Sequence, residues 1–164
     1  MKNLIILSAF CLFLLVGCQQ SVDDLVVNEN YPISIEASIG DAGGSRYSGT
    51  TPNGAVFANA DNIGLAYKVG TVTTDFVQWS FNGSEWNTIG TPMNWKNIGD
   101  DHTFYAFYPY NTSALLSEVP MPDLINQKGT MESVALCDFL VATKTMKYSN
   151  GGKVSFTGDD AFDH

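Results

Sequence analysis

Few side chains in this 164-residue sequence carry reactive chemistry, and their spacing narrows the choice further. Cys18 ends an apolar run directly after Gly17, which puts a thiol where a short leader would be cut. His102 follows Asp100 and Asp101, and Asp159, Asp160, Asp163 and His164 gather near the other end, so oxygen and imidazole ligands for a cation are present. Calcium loops place ligands at regular alternate positions, which neither group does, and both read better as turn and strand-edge residues. Trp79, Trp86 and Trp95, with Tyr105, Tyr108 and Tyr110, offer flat faces that would stack on pyranose rings as a glycan-binding platform; more often such residues simply fill a β-sandwich core. Cys137 lies in the apolar stretch Val134-Ala135-Leu136-Cys137-Asp138-Phe139, where a cysteine acts as a small hydrophobe rather than a nucleophile. There is no Gly-x-Ser-x-Gly elbow, no His-Glu-x-x-His, no phosphate-cradling glycine loop and no Cys-x-x-Cys pair. The residues point away from an enzyme and call for no metal and no cofactor.

The elements that position these residues begin with a leader. Lys2 precedes an apolar run over residues 5–16. That is about twelve residues, too short to cross the roughly 30 Å hydrocarbon core as a retained helix. Leu15-Val16-Gly17-Cys18 resembles the bacterial lipobox, which implies cleavage between Gly17 and Cys18 and acylation of the Cys18 thiol by palmitate-type chains. Several acyl chains anchor far more firmly than one. Gln19 stands where an aspartate would favour inner-membrane retention, so the expected location is the cell outer membrane, lipid-anchored and surface-exposed. An ordinary secretory signal with a chance cysteine is the alternative, and it too places the chain outside the cytoplasm. The sequence then divides into a signal peptide (1–17), a polar lipidated tether (18–30) and one domain (31–164). Of its three cysteines, Cys11 leaves with the signal and Cys18 carries lipid, so Cys137 has no intramolecular disulfide partner. The net charge of −9 disfavours nucleic acid and anionic lipid as partners. The acids are scattered singly or in pairs, as on a solvated surface.

Within the domain the patterning is that of short strands. Ile33, Ile35, Ala37 and Ile39 alternate with Ser34, Glu36 and Ser38, the period of a half-buried strand. Residues 40–52, with Gly40, Gly43, Gly44 and Gly49, read as an exposed loop that carries Arg46, the sole arginine. A strand over 63–69 presents Ile63, Leu65, Tyr67 and Val69 on one face, and the strands at 76–81 and 85–89 flank Asn82-Gly83-Ser84, a hairpin turn. Residues 103–108 are apolar on both faces, which predicts the deepest strand, ended by Pro109. Two more strands, at 139–142 and 154–156, lie on either side of the turn Asn150-Gly151-Gly152. No long segment has helical periodicity, and the sum is an all-β, antiparallel β-sandwich.

In order along the chain, the lipobox, the Ile-x-Ile strand, a loop arginine, Val56-Phe57 and Asp61-Asn62-Ile63-Gly64 resemble the fimbrillin family (FimA/Mfa-like proteins, the type V pilins). Trp95, His102-Thr103-Phe104-Tyr105-Ala106-Phe107-Tyr108-Pro109-Tyr110, Gln127, Asp138-Phe139-Leu140-Val141-Ala142 and Phe162-Asp163-His164 continue the likeness. The resemblance implies a Greek-key, transthyretin-like sandwich and a structural role: a lipoprotein precursor reaches the outer membrane, a protease cuts after an arginine in the N-terminal loop, and the leading strand is lost. Arg46 before Tyr47 is the matching bond, and a plain solvated loop arginine is the other reading. The vacated groove would then accept a strand from another subunit of a pilus (fimbrium), homopolymeric or heteropolymeric. Host or bacterial surface glycans or proteins are further partners that the likeness allows, and a carbohydrate-binding surface lipoprotein is the alternative function. The chain departs from the family's two-domain pattern by stopping at His164, where a further strand is expected, so it looks like a truncated N-terminal domain with an incomplete sandwich.

Overall fold

The structure, a computed structural model, describes residues 30–40, 56–121, 125 and 139–163. Eight strands follow one another: β1 (Ser34–Ala37), β2 (Asn62–Val69), β3 (Val72–Thr73), β4 (Val77–Phe81), β5 (Trp86–Thr88), β6 (His102–Tyr108), β7 (Leu140–Met146) and β8 (Lys153–Phe156). The larger sheet runs in the order β5-β4-β2-β6-β7, all antiparallel, with the short β3 folded back on the end of β2. The second sheet is β1 beside β8, and this one pair is parallel. The fold is thus the expected all-β antiparallel sandwich, with one parallel seam among the described residues. Among the described residues, the β7 edge is extended in antiparallel register by one bridge, Val141 with Asp163.

The two layers close on one core. Ile33 and Ile35 from β1 and Val154 and Phe156 from β8 share a cluster with Ile63, Leu65, Tyr67, Trp79, Trp86, Phe104 and Leu140 from the larger sheet. Burying such a side chain stabilises by roughly 1.5–3 kcal/mol. The hairpin at Asn82-Gly83-Ser84 forms as its residues predict: Gly83 takes φ +94°, and the Asn82 side chain accepts from the Ser84 and Glu85 amides. The depth order differs from the expectation. β2, not β6, holds the centre of the sheet, because small Gly64 and Ala66 on its reverse side let it be covered there as well. On β6, Phe104, Ala106 and Phe107 are buried, whereas Thr103 and Tyr105 are half-buried. The Asn150-Gly151-Gly152 turn carries the chain from the larger sheet to the smaller one, with both glycines at positive φ.

Candidate functional site

The feature with the most unusual construction is the leading segment, residues 31–40, and the groove that holds it. Alternation makes it a strand: Ile33 and Ile35 point inward and are buried, while Ser34 and Glu36 face water. Along one side it pairs with β8, Ser34 opposite Lys153 through Ala37 opposite Phe156. The ladder continues past β8, for the Ser38 amide donates to the Phe156 carbonyl, the Phe162 amide to the Ser38 carbonyl and the Gly40 amide to the Phe162 carbonyl, all within 2.8–2.9 Å. On the other side, at its N-terminal end, the Ile33 amide donates to Met93 and the Trp95 amide to Tyr31, both at 2.9 Å, with Pro32 bridged antiparallel to Asn94. The segment is therefore wedged between two backbones rather than lying on an edge.

Its N-terminal end is fitted closely. Gly152 sits at φ +85°, and a Cβ there would lie 2.5 Å from the Pro32 carbonyl oxygen, so only glycine lets the turn approach the entering chain. The Gly152 carbonyl accepts from Trp95 Nε1 at 3.0 Å, and the Tyr148 ring meets both Tyr31 and Trp95 edge-on. At the other end Phe162 packs against Phe57 and Phe156. The Glu36–Lys153 ion pair, 3.4 Å and half-exposed on both sides, adds little. Removing the segment would bare the groove and cost the burial of Ile33 and Ile35, roughly 3–6 kcal/mol together. That is a large share of the roughly 5–15 kcal/mol that holds a domain folded, so emptying the groove would weaken the domain markedly.

The other residues singled out from sequence fall elsewhere. Trp79, Trp86 and Trp95 are only 2%, 7% and 4% exposed, so the platform reading is corrected: they are core residues with no ring face open to a sugar. Trp79 on β4 and Trp86 on β5 face the core cluster, with Trp86 packed on Phe57 and Phe81, and Trp95, between β5 and β6, packs on Phe104 in the same cluster. Trp79 Nε1 is buried without a hydrogen-bond partner. His102 is fully buried between Tyr67, Trp95 and Phe104, accepts from the Lys96 amide at Nε2 and donates from Nδ1 to the Asp100 carbonyl. Both ring nitrogens are thus committed to the backbone. Asp160 is paired with Lys144 at 2.6 Å, and among the described residues no three His, Cys, Asp or Glu side chains converge as a metal site. Tyr67, whose hydroxyl donates to the Asn94 carbonyl, has its phenol pushed above 10.0 by burial. Gly17, Cys18, Arg46, Tyr47 and Cys137 lie outside the described residues. The 93–95 wall and Gly152 escaped sequence reading, since Met93-Asn94-Trp95 has no strand alternation and the glycine reads only as a turn.

Comparison with known proteins gives this arrangement a context. No curated protein sequence matches the chain. Among solved structures, a fimbrial protein from Bacteroides ovatus superposes with a TM-score of 0.50 at 22% identity, over 82% of this chain and 28% of that one. A candidate cell adhesion protein from the same organism superposes with a TM-score of 0.53 at 18% identity, over 77% of this chain and 51% of its own length. At these identities the likeness is one of fold, and the chain spans about half or less of each. The family model described as fimbrillin-like matches residues 46–164. The matched region takes in seven of the eight strands, all but β1, and places the chain in the fimbrillin-like family.

Proposed function

We propose that this chain is a structural, non-enzymatic subunit or adhesin of a bacterial surface pilus, exported as a lipoprotein through Cys18. Cleavage after Arg46 then frees residues 18–46, and the groove left by residues 31–40 takes up an extended strand from another subunit. The observation that carries this is the wedge itself: a leading strand, hydrogen-bonded on both sides at its start, filling a groove between β8 and residues 93–95. An empty groove would leave unpaired backbone groups and bare apolar side chains, which an incoming strand satisfies together. The family match supports the pilus setting, and its start at residue 46 coincides with the proposed cut.

The test is intact mass and N-terminal sequencing of the protein from its native outer membrane, beside an Arg46→Ala variant. A chain beginning at Tyr47 in detergent-resistant multimers, with the variant uncut and monomeric, is the expected result. An acylated, uncut monomer beginning at Cys18 in both samples would overturn strand addition by this route.

A further inference from the structure

The parallel seam has a mechanical consequence. Among the described residues the chain enters β1 from the tether side at residue 30 and leaves the pairing that follows β8 at Asp163. Tension between those points draws β1 toward its own N-terminus and the β8 segment toward its C-terminus. Since the two strands run the same way, these pulls are opposed along a shared axis, and they slide the strands instead of peeling them apart. In sliding, the four registered pairs and the Ile39–Phe162 bridge are strained together. In peeling, they would fail one after another.

Sliding is also opposed by the side chains. A one-residue slip turns Ile33 and Ile35 from the core toward water and brings Ser34 and Glu36 inward, so the first step of failure loses the apolar contacts at once. Both ends of the path are fastened. Tyr31 and Ile33 are bonded to Trp95 and Met93, and Asp163 exchanges two backbone hydrogen bonds with Val141, at 2.8 and 3.0 Å.

We infer that the β1–β8 seam is a mechanical clamp, making the uncut chain resist tension between its N-terminal tether and Asp163 far better than tension in other directions. The lipid-tether reading explains where such load would come from, while the directional strength belongs to the seam alone. The strand that bears load in the uncut chain is the one processing would release, so the anchored and polymerising forms are alternative uses of one groove.

Single-molecule pulling tests it on the unlipidated, uncut chain, held through Cys18 in a Cys11→Ser, Cys137→Ser background. The second handle is a thiol added after His164 in one version and Lys153→Cys, exposed at the start of β8, in the other. The first geometry shears the seam and the second peels it, with the fold otherwise the same. Forced unfolding reads the unfolding barrier along each direction. The expected result is a several-fold higher rupture force in the first geometry, reduced toward the second by Ile35→Ala. Equal forces, or a weaker shear direction, overturn the clamp. Failure there leaves the export and cleavage reading untouched, and an absent lipid or cut leaves the pulling result standing.

Discussion

Gly64 and Phe107 face each other across β2 and β6 on the outer side of the larger sheet, and their fit makes a sharp numerical prediction. A Cβ built on Gly64 would lie 2.2 Å from Phe107 Cε1 and 2.7 Å from Cζ, where ordinary contact begins at 3.4 Å, so the ring edge must give way by more than an ångström. The ring has little room, being 1% exposed and packed edge-on against Phe76 at 4.7 Å, with Tyr110 and Phe139 beyond. Forcing a methyl into a packed site costs about 1–3 kcal/mol. Against this, exchanging glycine for alanine stiffens the unfolded chain and returns about 0.4–1 kcal/mol. Gly64→Ala is therefore expected to destabilise by about 1–2 kcal/mol, a fall of about 0.5–1 M in the urea midpoint for a domain of this size. The buried tryptophans give the fluorescence signal. The decisive comparison is the same change in a Phe107→Leu background, which lacks the two closest ring atoms. There Gly64→Ala should be neutral or stabilising, giving a coupling of about 1–3 kcal/mol. An unchanged or raised midpoint for Gly64→Ala beside Phe107, or an equal loss in both backgrounds, would refute the reasoning.

Other outcomes follow from the groove and the core. Gly152→Ala drives a Cβ to 2.5 Å from the Pro32 carbonyl at φ +85°, with the Trp95 and Tyr148 rings close behind, and should cost about 1–3 kcal/mol; hydrogen exchange at the Ile33 amide should quicken more than in β2. Ile35→Ala is expected to lose about 2–5 kcal/mol by denaturation, as for a core isoleucine, and an effect under about 0.5 kcal/mol would mean that β1 is not part of the core. His102→Ala strands the Lys96 amide without its acceptor, adding about 1–3 kcal/mol of desolvation to the cavity cost, measurable by the same unfolding curves. Tyr67 gives a pH dependence. Because burial raises its phenol above 10.0, the folded chain keeps a proton that the unfolded chain releases, so stability is intact below about pH 10 and declines as pH climbs toward the raised value. Urea midpoints from pH 8 to 11 should fall for the native chain and fall less steeply for Tyr67→Phe, and parallel curves would contradict this assignment.

What the sequence revealed and what it hid divide along the range of the interactions. Strand alternation and turn chemistry are local, so Ile33-x-Ile35, the 63–69 strand and the Asn82-Gly83 hairpin could be read directly. Pairing between distant segments is not local: nothing near Ser34 announces a parallel partner at Lys153, and nothing in Asn150-Gly151-Gly152 announces that one glycine must clear the Pro32 carbonyl. The tryptophans show the same divide. Aromatic faces serve a sugar or a core equally well, and only the direction each side chain takes from its strand decides between them. Trp79 and Trp86 lie on the face shared with Ile63 and Leu65, and Trp95 stands in the wall beside Tyr31, so all three point inward.

The same contrast bears on the leading strand. Its sequence is that of any amphipathic strand, and its special status comes from its neighbours. One is a parallel partner some 120 residues later in the chain, and the other is an irregular wall at residues 93–95 that donates and accepts only at the strand's beginning. A strand held this way contributes apolar side chains and backbone bonds to the core, yet it reaches the rest of the domain covalently only through residues 41–55, where Arg46 stands. Chain connectivity contributes little to its stability once it is seated, and much to its local concentration. Cutting that link would leave the contacts intact and turn an intramolecular strand into a bound peptide, replaceable by any segment with apolar residues at the spacing of Ile33, Ile35, Ala37 and Ile39. A synthetic peptide of residues 31–40 should therefore compete with subunit association of the cut chain, whereas the same peptide with Ile33 and Ile35 changed to serine should not. Equal competition by both peptides would mean that the groove reads backbone alone.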